Sequence, residues 1–72
     1  MSPGAGITIE LDGVSYTLTD GTVLAQLVAA LGHPADKVAT AVNGVFVPRD
    51  QRNACTLHAA DAVLMFQPIV GG

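Results

Sequence analysis

Two dipeptides constrain this chain more than any other feature: Asp12-Gly13 and Asn43-Gly44 each lie between short runs of apolar residues at strand spacing. Both are the residue pairs that a two-residue β-hairpin turn demands, because its two central positions need φ > 0. Ahead of the first, Ile7, Ile9 and Leu11 alternate with Thr8, Glu10 and Asp12. Behind it Val14, Tyr16 and Leu18 alternate with Ser15 and Thr17. The second turn separates a run from Val38 to Val42 from the short return Val45-Phe46-Val47, which Pro48 closes.

Between the hairpins the period changes. Val23, Leu24, Leu27, Val28 and Leu31 recur at helical spacing and form one apolar stripe. Thr22 is the expected N-cap and Gly32 the expected stop, with Pro34 blocking continuation. A full capping box is absent, since Ala25 stands three residues after Thr22. Residues 49–56 are polar and irregular, a surface loop or a single helical turn. The last strand runs from Ala62 to Gln67, and Pro68 ends its pairing.

The order is hairpin, helix, hairpin, loop, final strand. One amphipathic helix across one face of a mixed sheet of four to five strands is the β-grasp (ubiquitin-like) arrangement, an α+β fold. The expected core is the helix stripe on Ile7, Ile9, Leu11, Val14, Tyr16, Leu18, Val38, Val42, Val63 and Met65. The expected boundaries are a flexible leader at 1–6, the domain at 7–67 and a flexible tail at 68–72.

A chain of 72 residues buries only roughly 60% of the surface its unfolded form exposes, which leaves one thin core and no enclosed active site. Half the residues are hydrophobic, with two Phe, one Tyr and no Trp, so aliphatic burial must supply most of the stability. Six carboxylates outnumber Lys37, Arg49 and Arg52, for a net charge of −3. Such a balance provides no basic stripe for nucleic acid. The single Cys55 has no partner for an internal disulfide, and residues 1–6 lack the features of a signal peptide. With no apolar run near the ~20 residues of a membrane span, the expectation is a soluble cytoplasmic protein without a membrane partner.

Phosphate-binding loops, dinucleotide fingerprints and Cys-x-x-Cys pairs are all missing, so no cofactor is expected. Cys55 and His58 lie three apart, but His33 is the only other soft ligand, too few for zinc. A Cys55–His58 nucleophile and base would sit in a loop of a domain too small to exclude water. Cys55 reads instead as a half-buried filler. Asp50 and Asp61 have no second carboxylate placed for acid–base work and read as solvated turn positions.

What remains is the terminus, where Gly71-Gly72 follows a strand and a proline. A carboxylate at neutral pH is a poor electrophile, so chemistry on it needs an enzyme that makes a mixed anhydride with AMP. Glycine lets backbone pass a narrow channel, and the five residues from Pro68 to Gly72 extend by roughly 17 Å, enough to reach a nucleotide site while the body stays outside.

From Ile7 onward the chain resembles the ThiS family of sulfur carriers in thiamine biosynthesis. The likeness rests on the Asp12-Gly13 hairpin, the helix ending Leu-Gly-His-Pro34, the Val42-Asn-Gly-x-x-Val-Pro-Arg49 segment and the ending Gln67-Pro-Ile-Val-Gly-Gly72. The resemblance implies a carrier that is not itself an enzyme. An E1-like adenylating enzyme would activate Gly72 with ATP, sulfur-donor relay proteins would convert it to a thiocarboxylate, and thiazole synthase would take the sulfur. Two departures stand out: Ala60-Asp61 where the family usually has Gly-Asp, and Leu64 where it often carries a charge.

Strand alternation turns Val63 and Met65 inward and leaves Leu64 and Phe66 on the open sheet face, where the Val42–Val45 pairing also places Phe46. Together with Pro68, Ile69 and Val70 of the tail, these make an expected docking surface for the activating enzyme and the synthase. Singly exposed apolar residues are otherwise unremarkable. Arg49 and Arg52 read as solvated loop charges, available as rim contacts. Competing readings are a carrier of the molybdopterin-synthase small-subunit type, a ubiquitin-like modifier of lysines, and a β-grasp interaction domain with an inert tail.

Overall fold

Both hairpins form, and each turn has the left-handed backbone its residues favour: φ is 50° and 83° at Asp12 and Gly13, and 52° and 82° at Asn43 and Gly44. The computed structural model describes residues 6–67. Strands β1 (Gly6–Leu11) and β2 (Val14–Thr19) pair antiparallel, closing at Leu11–Val14. Strands β3 (Ala39–Val42) and β4 (Val45–Val47) do the same, closing at Val42–Val45. The strand read from Val38 onward begins one residue later, and β1 begins one residue earlier than the expected leader boundary, with Gly6 opposite Thr19.

The final strand β5 (Ala62–Phe66) enters the middle of the sheet, giving the order β2-β1-β5-β3-β4. It runs parallel to β1 and antiparallel to β3. The mixed five-stranded sheet with one helix across it is the β-grasp fold.

Helix α1 (Leu24–Ala30) starts later than expected, with Val23 at the N-cap. The Thr22 hydroxyl instead donates to the carbonyl of Thr19 at 2.6 Å. Extended pairing with residues 55–57 holds the segment back: Leu57 N–H donates to Thr22 O and Leu24 N–H to Cys55 O, with a bridge between Val23 and Thr56. Valine has no side-chain acceptor, but Gln26 reaches back to accept the Val23 N–H at 2.9 Å. At the other end Gly32 has φ 78°, and paired bonds from Gly32 N–H to Ala29 O and His33 N–H to Val28 O complete a Schellman stop.

The core consists of Ile9, Leu24, Leu27, Val28, Val38, Leu57, Val63 and Met65, with Ile7, Leu11, Tyr16, Leu18, Leu31 and Val42 partly buried against it. Two assignments change. Val14 is 67% exposed, because it abuts the turn on an edge strand beyond the reach of the short helix. Leu57 lies fully buried, although its neighbours suggested an irregular surface segment.

A larger correction concerns Arg52, which is buried rather than solvated. It sits in the 3-10 helix Arg49–Ala54, within the stretch 49–56 read above as a surface loop or a single helical turn. Its Nε donates to Thr40 Oγ1 at 3.1 Å, Nη1 to Ala35 O at 2.9 Å and Nη2 to Val38 O at 2.6 Å. The Thr40 hydroxyl in turn donates to Val47 O at 2.9 Å. A planar fork of N–H donors can satisfy several diverging oxygens at once, whereas a lysine ammonium presents its donors from one point. Arg52 thereby staples the loop before β3 to the segment after β4.

Asp61 is also more than a solvated turn residue. Its carboxylate accepts from His58 N–H at 2.8 Å and from Asn43 Nδ2 at 3.0 Å, while Asn43 Oδ1 accepts from Ala62 N–H at 2.9 Å. The intervening Ala60 has φ 70°, a conformation that is disfavoured by roughly 1–2 kcal/mol for a residue with a Cβ. This is the position where the resemblance pointed to glycine, so the departure is borne as local strain.

Arg52→Ala is expected to lower unfolding free energy by about 3 kcal/mol, since buried carbonyls and Thr40 lose their donors, and Arg52→Lys to recover only part of it. Urea denaturation checks this; a change within experimental error for Arg52→Ala would restore the solvated-charge reading. Ala60→Gly is expected to raise stability by about 0.5–1 kcal/mol, the relief of left-handed strain less the added freedom of the unfolded chain. The same denaturation curves decide it, and a loss of stability would contradict the strain.

Candidate functional site

Helix α1 covers one face of the sheet; the candidate site lies on the other. Strand alternation and register fix which side chains share that open face. Ala62, Leu64 and Phe66 project there from β5, Ala39 and Ala41 from β3, and Phe46 from β4, because Ala41 is opposite both Leu64 and Phe46 while Ala39 is opposite Phe66. Phe46, Leu64 and Phe66 are 62%, 46% and 52% exposed. Ala41 is only 9% exposed despite facing outward, because it lies between two much larger side chains.

The same face changes character toward its other edge. Thr8 and Glu10 on β1 stand opposite Thr17 and Ser15 on β2. The face is therefore split lengthwise, with an apolar half over β5, β3 and β4 and a polar half over β1 and β2. Large apolar side chains clustered on one half of a sheet face are the pattern of a docking surface. Sequence alternation placed Phe46, Leu64 and Phe66 together, and the structure brings all three to the same half.

Strand β5 supplies two of those three side chains and leads directly into residues 68–72. Its position is held from both sides: β3 pairs along its length, and β1 pairs at Glu10–Ala62 and Leu11–Val63. Beyond Leu11 the Asp12 carboxylate takes over, accepting the Met65 N–H at 3.1 Å. Sequence reasoning assigned Asp12 only to the turn, since a contact to a residue 53 positions away leaves no local signal. Pro68, Ile69, Val70, Gly71 and Gly72, the expected tail, lie outside the described residues, as do residues 1–5.

Among the described residues the other side chains offer little chemistry. Burial, and secondarily the Asp61 carboxylate, push the Cys55 thiol above its usual range, which disfavours the nucleophilic thiolate. The His58 side chain is exposed, with Nδ1 3.9 Å from Asp61 Oδ2. Among the described residues no group of three His, Cys, Asp or Glu is placed to hold a metal ion, and no helix is long and apolar enough to cross a membrane. An open cleft lies between β2 and α1, lined by Tyr16, Leu18, Asp20, Thr22 and Gln26 among others, on the helix side of the sheet and away from the apolar half-face.

No curated protein matches the chain. Its fold is similar to a crystal structure of the thiamine biosynthesis protein (ThiS) from Geobacter metallireducens, with a TM-score of 0.80 at 25% identity, covering 92% of this chain and all of that one. A solution NMR structure of a thiamine biosynthesis protein from the same organism gives a TM-score of 0.76 at 25% identity, covering 92% of this chain and 88% of that one. Residues 6–72 match the ThiS family, a span that takes in the β-grasp domain and continues through Gly71-Gly72. The chain belongs to the ThiS family.

Proposed function

We propose that the protein is a sulfur carrier for thiazole formation in thiamine biosynthesis, with Gly72 as its working group. The observation that carries this reading is the family match over residues 6–72, which takes in both the sheet and Gly71-Gly72. The arrangement of β5 supports it, since one central strand both displays Leu64 and Phe66 and leads to the terminus. The domain is not the catalyst; it is a co-substrate that partner enzymes act upon.

In the proposed cycle an E1-like adenylating enzyme binds ATP, and the Gly72 carboxylate oxygen attacks the α-phosphorus. A P–O bond forms and pyrophosphate leaves, giving an acyl adenylate. The terminal sulfur of a donor persulfide then attacks the acyl carbon, AMP departs, and a thiol reductant cleaves the resulting acyl disulfide to leave the thiocarboxylate. Thiazole synthase receives that sulfur, and hydrolysis of the spent acyl group returns the carboxylate. The chain's own contribution is presentation: Gly71 and Gly72 pass where a Cβ would collide, while the apolar half-face with Phe46, Leu64 and Phe66, and the tail residues Pro68, Ile69 and Val70, give the enzymes something to grip.

Incubation with the cognate adenylating enzyme, ATP and a persulfide donor is expected to raise the intact mass by the difference between a sulfur and an oxygen atom. Deletion of Gly72 is expected to abolish the gain without altering the circular dichroism spectrum. Mass spectrometry that finds no gain in the full chain would overturn the carrier reading, and recovery of isopeptide conjugates to lysines would replace it with a protein modifier.

A further inference from the structure

We propose that Asp12 is a positioning residue for the C-terminal tail, locking the last turn of the β5 ladder through its side chain. This rests on the carrier reading above. Strand β1 ends at Leu11 and the chain turns back, yet β5 continues to Phe66. On the side facing β1, the next groups of β5 would have no strand to pair with. Asp12 fills that gap twice: its backbone N–H donates to Val63 O at 2.9 Å, and its Oδ1 accepts the Met65 N–H at 3.1 Å. On the opposite side, β3 pairs with β5 as far as Ala39–Phe66. The root of the tail is thus clamped between a strand and a side chain.

Residue type at this position must meet two demands. The φ of 50° requires a residue that tolerates left-handed backbone, and the Met65 N–H requires an acceptor. Glycine satisfies only the first demand; aspartate and asparagine satisfy both. An explanation of Asp12 by turn geometry alone therefore makes a different forecast from one in which its carboxylate anchors β5.

The anchor matters because residues 68–72 follow β5 in the chain, so fixing Met65 fixes the point and direction at which the chain leaves the sheet. If fewer molecules present the terminus productively, apparent affinity falls in proportion while turnover of the bound complex is preserved.

The test compares the full chain with Asp12→Gly and Asp12→Asn in adenylation by the cognate enzyme, read as pyrophosphate release, alongside amide hydrogen exchange. Asp12→Gly is expected to raise KM by about three- to tenfold with kcat unchanged, the range that loss of one hydrogen bond allows. Exchange at Met65 should quicken in that variant while the amides of Ile9 and Leu27 stay protected, and Asp12→Asn should behave as the parent in both assays. Equal KM for Asp12→Gly and the parent overturns the assignment, as does faster exchange spread evenly over the core, which marks a global loss of stability. Failure of the parent itself to be adenylated strikes the carrier reading instead; the Met65 exchange still reports whether Asp12 anchors β5.

Discussion

Parallel pairing between β1 and β5 is the contact on which the rest of the structure depends. Among the described residues the first and last strands meet in the middle of the sheet, and within the sheet it is β5 that joins one hairpin to the other. Val63 and Met65 face the helix and complete the core, Val63 without any exposed surface. The alternate residues Leu64 and Phe66 face the opposite way into solvent. One five-residue strand therefore closes the core, supplies most of the apolar half-face and begins the path to the terminus. An edge strand in this role would leave the tail rooted in the most easily frayed part of a sheet.

With so few large side chains, the domain relies on polar anchors where a larger protein would use more core. Arg52 holds the segment before β3 through carbonyl oxygens and Thr40, and Asp61 with Asn43 holds the crossing into β5. Both anchors secure irregular backbone that has little apolar surface of its own to bury. A buried guanidinium is tolerable only when its donors are matched, and the named oxygens match three of its nitrogens. Asp12 does the same service at the far end of β5.

Features with local causes were legible in the sequence. The two hairpins followed from Asp12-Gly13 and Asn43-Gly44, since a two-residue turn is decided by the residues in it, and the outward placement of Phe46, Leu64 and Phe66 followed from alternation once those turns fixed the register. The stop at Gly32 was equally local. Features decided by distant partners were not legible: Thr22 lost the N-cap to pairing with residues 55–57, Leu57 was drawn into the core by that same pairing, and Arg52 found its acceptors at Ala35, Val38 and Thr40, 12 to 17 positions away. Val14 failed for a geometric reason, because alternation assigns a face but not the extent of the helix that covers it. The residues proposed for a reactive terminus rest on the family likeness and on chemistry, as they lie beyond residue 67.

The central claim is that the open sheet face and the terminus work as one unit, the face docking so that the tail is delivered. Phe46 separates the two most cleanly, being on that face yet on β4, far along the chain from the tail. The decisive measurement is the kcat and KM for adenylation of Phe46→Asp against the unaltered chain. The account expects KM to rise by about tenfold or more with kcat little changed, as befits an aromatic anchor at a docking surface; an unchanged KM would contradict it and leave the tail acting without its face.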